Sequence, residues 1–309
     1  MSFDYLELSI QSCPACGGND FSGLNKNDRY SMGLRTVGCN SCGLIQTNPR
    51  PSEAGLSLFY EKDYRRFYQG AIHPDQEYIK RHSKDVRLKY TVSFLRNLVD
   101  FGSDAAILDI GCSEGALFSA LRSNGYSGEL YGVELNREFA HYAEINNNAK
   151  VYSTLNMLKK PCDLVVVNHV LEHLLEPKKF LFDVSRLIND NGILYIDVPD
   201  TDEYKSINEL HVAHIFHYTA RTLSYLIELC GFNVVSCEKH NPPFHPKSIR
   251  LVAKKGSANL SDLRASTVIG EMSTWSRVQK IPYFMRRMRN IIFSLPFARK
   301  LCTALKRSK

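Results

Sequence analysis

The stretch Ile107-Leu108-Asp109-Ile110-Gly111-Cys112-Ser113-Glu114-Gly115-Ala116-Leu117 decides the architecture of this 309-residue chain. It reads as a buried strand that ends in a carboxylate, then a glycine-bearing turn, then the start of a helix. Gly111 and Gly115 let backbone approach a ligand closely without a Cβ in the way. The free N–H groups at the helix start can hold polar ligand atoms.

Outward from this turn, short apolar runs alternate with helical patterns from Ala105 to about Lys255. Strands are predicted at Ala106–Ile110, Leu130–Glu134, Lys150–Tyr152, Leu164–Asn168, Ile193–Val198, Asn233–Cys237 and Ile249–Ala253. Helical stretches, among them Pro177–Ile188, separate the first six. That order predicts βαβ crossovers and an α/β fold around a parallel sheet. The last two strands are joined without a helix, which predicts an antiparallel final strand. Upstream, residues 10–50 carry cysteine pairs among Gly, Asn and Pro, and Gln76–Val99 has the pattern of an amphipathic helix. Four sections result: a cysteine module over 1–50, a helical lid or linker over 51–104, a catalytic domain over 105–256 and a basic helical tail over 257–309.

Composition sets the outer bounds. An apolar fraction of 44% and a charged fraction of 23% are those of a globular protein. No apolar run reaches the roughly 18 residues needed to span a bilayer. Met1-Ser2-Phe3-Asp4 lacks the marks of a signal peptide, so a cytoplasmic location is expected. Residues 277–309 hold ten Lys or Arg and no Asp or Glu, leaving −3 of the net +7 for everything before them.

The glycine turn admits three readings. A nicotinamide dinucleotide fingerprint requires G-x-G-x-x-G, and Ser113 and Ala116 stand where its second and third glycines belong. A hydrolase elbow requires G-x-S-x-G, which residues 111–115 match, with Ser113 as nucleophile. An elbow, however, follows several strands, whereas this strand is the first of its domain, and Asp109 would have no role. The third reading is the cofactor turn of the class I S-adenosylmethionine-dependent methyltransferases, which the segment closely resembles. The resemblance implies a Rossmann-like seven-stranded sheet with helices on both faces. It also implies that Asp109, Gly111, Cys112 and Gly115 surround the methionine part of S-adenosylmethionine. Tyr131-Gly132-Val133-Glu134-Leu135 ends the next strand with an acid 25 positions after Asp109. Glu134 is thereby implied at the ribose hydroxyls, with Leu135, Asn168, His169 and Tyr64 completing the cofactor site. The resemblance runs on through Pro161–His173, the Asn191-Gly192 turn and Cys230-Gly231-Phe232. Asn241-Pro242-Pro243-Phe244 spells the grip of the amino-methyltransferases, but it falls between the sixth and seventh strands and reads as a turn. No acid follows the third strand to hold the adenine amine.

Cys13-Pro14-Ala15-Cys16 and Cys39-Asn40-Ser41-Cys42 are two C-x-x-C pairs 22 residues apart, each followed by glycine. Four thiolates in two tight turns suit tetrahedral structural Zn2+. One redox pair would need no second, and zinc explains how about 40 residues with few core positions fold. With Asn48-Pro49-Arg50-Pro51 and Phe59–Tyr64, the module resembles bacterial sugar and surface-glycan methyltransferases with an N-terminal zinc-binding domain. The shorter C-terminal part departs from the sugar C-methyltransferases of that kind.

Methyl transfer to oxygen needs in-line positioning and a base. Glu172 and His173, beyond the fourth strand, and His214 and His217, before the helix near Thr219, are the candidates, with His173 or His214 as the base. The acceptor implied is a sugar or glycan; a lipid-linked one would suit a chain whose basic residues 277–309 touch an anionic membrane surface. RNA methylation guided by module and tail is a disfavoured alternative, and a cofactor-binding scaffold without turnover is another.

Overall fold

The computed structural model describes residues 6–30, 32–69, 73–82, 86–100, 104–205, 207–243 and 246–256. The basic tail, and the Phe244 of the N-P-P-F turn, lie outside the described residues.

The first strands belong to the cysteine module: β1 (Leu8–Ser9), β2 (Phe21–Asn25), β3 (Thr36–Cys39), β4 (Ile45–Thr47) and β5 (Arg50–Pro51). A connecting region follows, with α1 (Glu53–Phe59), a π-helical stretch over Tyr60–Gln69, α2 (Gln76–His82) and α3 (Val86–Leu95). The amphipathic stretch expected over Gln76–Val99 thus holds two described helices and ends at Leu95.

The α/β region continues with β6 (Ile107–Ile110), α4 (Ala116–Ser123), β7 (Leu130–Val133), α5 (Arg137–Asn147), β8 (Lys150–Tyr152), β9 (Cys162–Asn168) and α6 (Pro177–Ser185). It closes with β10 (Ile188–Pro199), β11 (Phe216–His217), α7 (Ala220–Leu229), β12 (Phe232–His240) and β13 (Ser248–Lys255). Seven of these strands form one sheet in the order β12-β13-β10-β9-β6-β7-β8. Strands β10, β9, β6, β7 and β8 run parallel, and β13 lies antiparallel between β10 and β12. The seven-stranded α/β expectation and the antiparallel last strand are both met. Leu164, Val165, Val166 and Val167 are fully buried, as a central parallel strand covered on both faces requires. Strand ends differ by one to several residues, most at β10, which runs over Ile188–Pro199 where Ile193–Val198 was expected. Ile188 opens β10 instead of closing α6, and Asn191-Gly192 lies in a register shift between Ile188 and Ile193 within that strand.

Chain order reverses between β6 and β9. The turn after β6 and the loop after β9 therefore open side by side at the carboxyl ends of the strands, where ligands of such sheets bind.

The module is joined to this sheet by more than the chain. Strands β2, β3 and β4 form an antiparallel sheet, and β11 from the catalytic region pairs with β4 as its edge strand. One apolar cluster includes Leu34, Leu44 and Phe59 together with Val167, Leu171 and Phe216.

Candidate active site

The glycine turn has the conformation its sequence demands. Gly111 and Gly115 both have φ +79°, in the left-handed region that favours glycine. A Cβ on Gly111 would stand 2.7 Å from the Val170 side chain, and one on Gly115 would meet Asn147 at 2.7 Å and Ala143 at 2.9 Å. Ser113 also has positive φ, 49°. The Gly111 and Cys112 N–H groups donate to the Val133 carbonyl, which ties the turn to β7. Cys112 is buried in an apolar cluster, and burial pushes its thiol up.

Asp109 lies 5% exposed at the strand end. Burial, with Glu114 and Glu134 adding, pushes its carboxyl up to about 8. A cationic ligand group there would relieve this cost. Glu114 was not singled out by the sequence reading; it is buried and accepts from the Tyr78 hydroxyl at 3.3 Å.

Glu134 accepts from the Ser113 N–H at 3.1 Å and the Asn136 N–H at 2.8 Å. Its Oε1 also takes Arg65 Nη2 at 2.8 Å. The Arg65 guanidinium lies 3.6 Å over the Phe139 ring, with Nη1 3.5 Å from Ser113 Oγ. Arg65 thus covers the acid that the resemblance places at the ribose. Sequence reasoning stopped one residue short of it, at Tyr64. Leu135 is 73% exposed beside this acid.

Tyr60, Tyr64 and Tyr68 line one face of the π-helical stretch, since residues four apart come nearly over one another in that wider winding. Ring centroids are 4.7 Å apart for Tyr60 and Tyr64 and 5.2 Å for Tyr64 and Tyr68. Tyr64 also meets His173 edge to face at 5.8 Å. Burial first, then Glu172, raises the Tyr64 hydroxyl to about 12, with Arg65 opposing and Glu134 adding. Tyr64 therefore stands between the glycine-turn side and the histidine side.

Beyond β9, Asn168 ends the strand beside Asp197 of β10. His169 turns the chain with φ 53° and donates its N–H to the Asp197 carbonyl at 2.8 Å. Its Nδ1 lies 3.2 Å from Glu172 Oε1 and its Nε2 3.8 Å from Asp197 Oδ1. His169 is thus a bridge between two buried carboxylates. Burial alone would raise Asp197, but hydrogen bonding from His240, with His169 and Tyr195, outweighs it and holds the carboxyl low.

Glu172, 1% exposed, is the centre of the histidine cluster. His173 Nε2 lies 3.8 Å and His214 Nε2 4.0 Å from its Oε1. His173 Nδ1 stands 2.8 Å from the Ala213 carbonyl, so that nitrogen carries the proton and Nε2 keeps its lone pair. Burial pushes His173 and His214 down, with Glu172 opposing at His173 and neighbouring imidazoles adding at His214. His217 is brought close but stands one layer behind, 6.4 Å from the His214 ring and 3.3 Å from the Tyr204 hydroxyl. His211 fills the nearer place, its ring 4.0 Å from that of His214, and burial lowers it to about 2. The three-residue spacing of 211, 214 and 217 was the visible signal.

The cysteines converge as expected. Cys13 Sγ is 3.6 Å from Cys42 Sγ and Cys16 Sγ 3.5 Å from Cys39 Sγ, and all four sulfurs lie within 4.8 Å of one another. A tetrahedral ion with S ligands at about 2.3 Å would set sulfurs roughly 3.8 Å apart. Gly17 and Gly43 have φ 76° and 81° and donate to the Cys13 and Cys39 carbonyls, closing the two turns. This donor set fits a structural zinc held by Cys13, Cys16, Cys39 and Cys42.

A family model described as a methyltransferase domain matches residues 82–237, just over half the chain. The chain belongs to this methyltransferase family. Among curated relatives it is 28% identical over 117 residues to a ubiquinone biosynthesis O-methyltransferase of Rickettsia bellii, and 27% identical over 136 residues to that of Rickettsia canadensis. These matches cover 36% and 42% of this chain, and it spans about half the length of these relatives, 49% and 54%. A structural neighbour is the Burkholderia thailandensis 1,6-didemethyltoxoflavin-N1-methyltransferase with bound S-adenosylhomocysteine. The TM-score is 0.53 at 16% identity, over 69% of this chain and 96% of that one, a likeness of fold. The Gly111–Gly115 turn lies inside this methyltransferase domain, and the hydrolase reading of Ser113 falls away.

Proposed function

We propose that the chain transfers the methyl group of S-adenosylmethionine to a hydroxyl oxygen of a sugar or surface-glycan acceptor. The observation that carries the reading is the adjoining of two half-sites. Val170, in the loop that leads to Glu172 and His173, packs on Gly111 of the cofactor turn so closely that a Cβ there would be 2.7 Å from it. Asp109 supplies a negative partner for the ligand ammonium and Glu134 acceptors for the ribose hydroxyls, once Arg65 moves aside. On the other half-site, the Glu172 cluster offers imidazole lone pairs to take the acceptor proton as the carbon–oxygen bond forms. His173 and His214 are the candidate bases, with Glu172 and His217 supporting them.

The clustered rings of Tyr60, Tyr64 and Tyr68 give an apolar wall against which the C–H faces of a sugar can pack. A second reading is methylation of a phenolic hydroxyl. It is favoured by the O-methyltransferase relatives, which are named for ubiquinone biosynthesis. In either case the cysteine module carries structural zinc.

The test is methyl transfer from labelled cosubstrate to sugar, glycan and phenol panels, with His214→Ala and His173→Ala beside the wild type. A loss of about 100-fold or more in kcat, at unchanged cosubstrate affinity, is expected in at least one of the two. Full turnover in both variants would overturn the assignment of the base.

A further inference from the structure

Glu172 poses an electrostatic question that an imidazole base alone leaves open. Its carboxylate is 1% exposed, and Oε2 is buried with no hydrogen-bond partner. A buried carboxylate needs a compensating positive charge. The groups facing it are imidazoles: His169 at 3.2 Å, His173 at 3.8 Å and His214 at 4.0 Å. His214 Nδ1 is also buried without a partner.

We propose that Glu172, His173 and His214 form a second metal site, one that takes a single divalent first-row transition ion. Their ligand atoms lie within 4.8 Å of one another, and they come from two segments that the fold fixes side by side. The Ile215 N–H donates to the Glu172 carbonyl at 2.8 Å, which joins the two segments directly. Two imidazoles and one carboxylate are a donor set for zinc, manganese, iron or cobalt rather than for calcium or magnesium. The outer contacts have the pattern that metal ligands need. Ala213 fixes the His173 tautomer so that Nε2 faces the cluster, and His169 braces the carboxylate against Asp197. Three protein donors leave coordination positions open, as at catalytic rather than structural sites. The Tyr60 and Tyr64 rings, 6.2 and 5.8 Å from His173, border the same space.

This site rests on the reading that the acceptor hydroxyl meets the Glu172 cluster. The ion takes the part given there to an imidazole lone pair. It lowers the pKa of the hydroxyl, whose proton passes to water. The oxygen then bonds to the sulfonium methyl, and the C–S electron pair goes to sulfur. The products are a methyl ether and S-adenosylhomocysteine.

Cobalt titration of the metal-stripped full-length protein separates this site from the cysteine one. Thiolate-bound Co2+ gives an intense near-ultraviolet charge-transfer band, and a histidine–carboxylate site gives weak visible bands without it. Two equivalents are expected, one of each kind, with the second lost in Glu172→Gln and in His173→Ala/His214→Ala. Calorimetric cosubstrate binding checks that these variants fold. Saturation at the thiolate site alone in folded wild-type protein would overturn the proposal, as would a second equivalent that persists in the variants. A missing second equivalent with turnover still dependent on His173 or His214 would sink the ion and leave the imidazole base standing. A second equivalent with turnover indifferent to the variants would confirm an ion and sink its role in transfer.

Discussion

Replacing Glu134 by alanine tests the cofactor half-site most directly. In the structure its two oxygens accept three hydrogen bonds, from Ser113, Asn136 and Arg65. Bound cosubstrate would exchange the Arg65 contact for ribose hydroxyls. A hydrogen bond to a charged group contributes about 1.5–3 kcal/mol, so two ribose bonds carry about 3–6 kcal/mol. Breaking the Arg65 pair on binding offsets part of that, because both side chains are only about a tenth exposed, at 12% and 10%. The net loss expected in Glu134→Ala is about 2–4 kcal/mol, a weakening of roughly 30- to 1,000-fold in Kd. Isothermal calorimetry should be run with both S-adenosylmethionine and S-adenosylhomocysteine. They share the ribose and differ in the sulfonium charge, so both must weaken by about the same factor. A change below threefold for both would refute the ribose assignment. A loss confined to the sulfonium compound would show that Glu134 acts as a distant charge instead.

Other outcomes follow from single residues. Asp109 has a folded pKa raised to about 8, above an unfolded value near 3.9. Its contribution to stability is therefore fully present below about pH 4 and is lost as pH rises through about 8. Urea titrations of the ligand-free protein should show that fall, and Asp109→Asn should flatten it. Cosubstrate binding at pH 7 should release about one proton, since the carboxyl is then mostly protonated; calorimetry in buffers of different ionisation enthalpy reads this, and no release would refute it. Gly115→Ala combines a left-handed backbone with contacts of 2.7 and 2.9 Å. Strain of about 1–2 kcal/mol and overpacking of about 1–3 kcal/mol should together lower stability by about 2–5 kcal/mol, measured by chemical denaturation. Cys39→Ser should lose bound zinc and reduce methyl transfer at unchanged cosubstrate affinity. Hydrogen exchange should speed up at the Thr47 amide, which donates to the Ile215 carbonyl at 2.8 Å.

What was legible in the sequence was the part governed by local rules. The strand–turn–helix at Asp109–Leu117 reads directly because positive φ at 111 and 115 demands glycine, and an apolar run such as Leu164–Val167 marks a doubly covered strand. The C-x-x-C-G turns are local for the same reason. Arg65 was invisible because its meaning depends on a partner 69 positions away, across a π-helical winding that no periodicity foretold. Glu114 escaped notice because an acid in a turn looks solvated until burial is known. His169 was assigned to the cofactor from its place at the strand end. The structure adds contacts to Glu172 and Asp197 that only the sheet register reveals.

The pairing of β11 with β4 gives the cysteine module a consequence for chemistry. Burying His211, His214 and His217 in neutral form costs desolvation, and His211 Nδ1 and His214 Nδ1 are buried without hydrogen-bond partners. A loop carrying three such imidazoles has little reason to hold one conformation by itself. Here it is clamped on both sides. Thr47 binds the Ile215 carbonyl through its N–H and the His214 carbonyl through its hydroxyl, and the Arg29 N–H binds the Leu210 carbonyl. From the other side, the Ile215 N–H is held by the Glu172 carbonyl. The free energy that folds the module is thus available to hold polar groups in a place they would otherwise leave. The module that carries the four cysteines thereby helps to fix where His214 stands relative to Glu172.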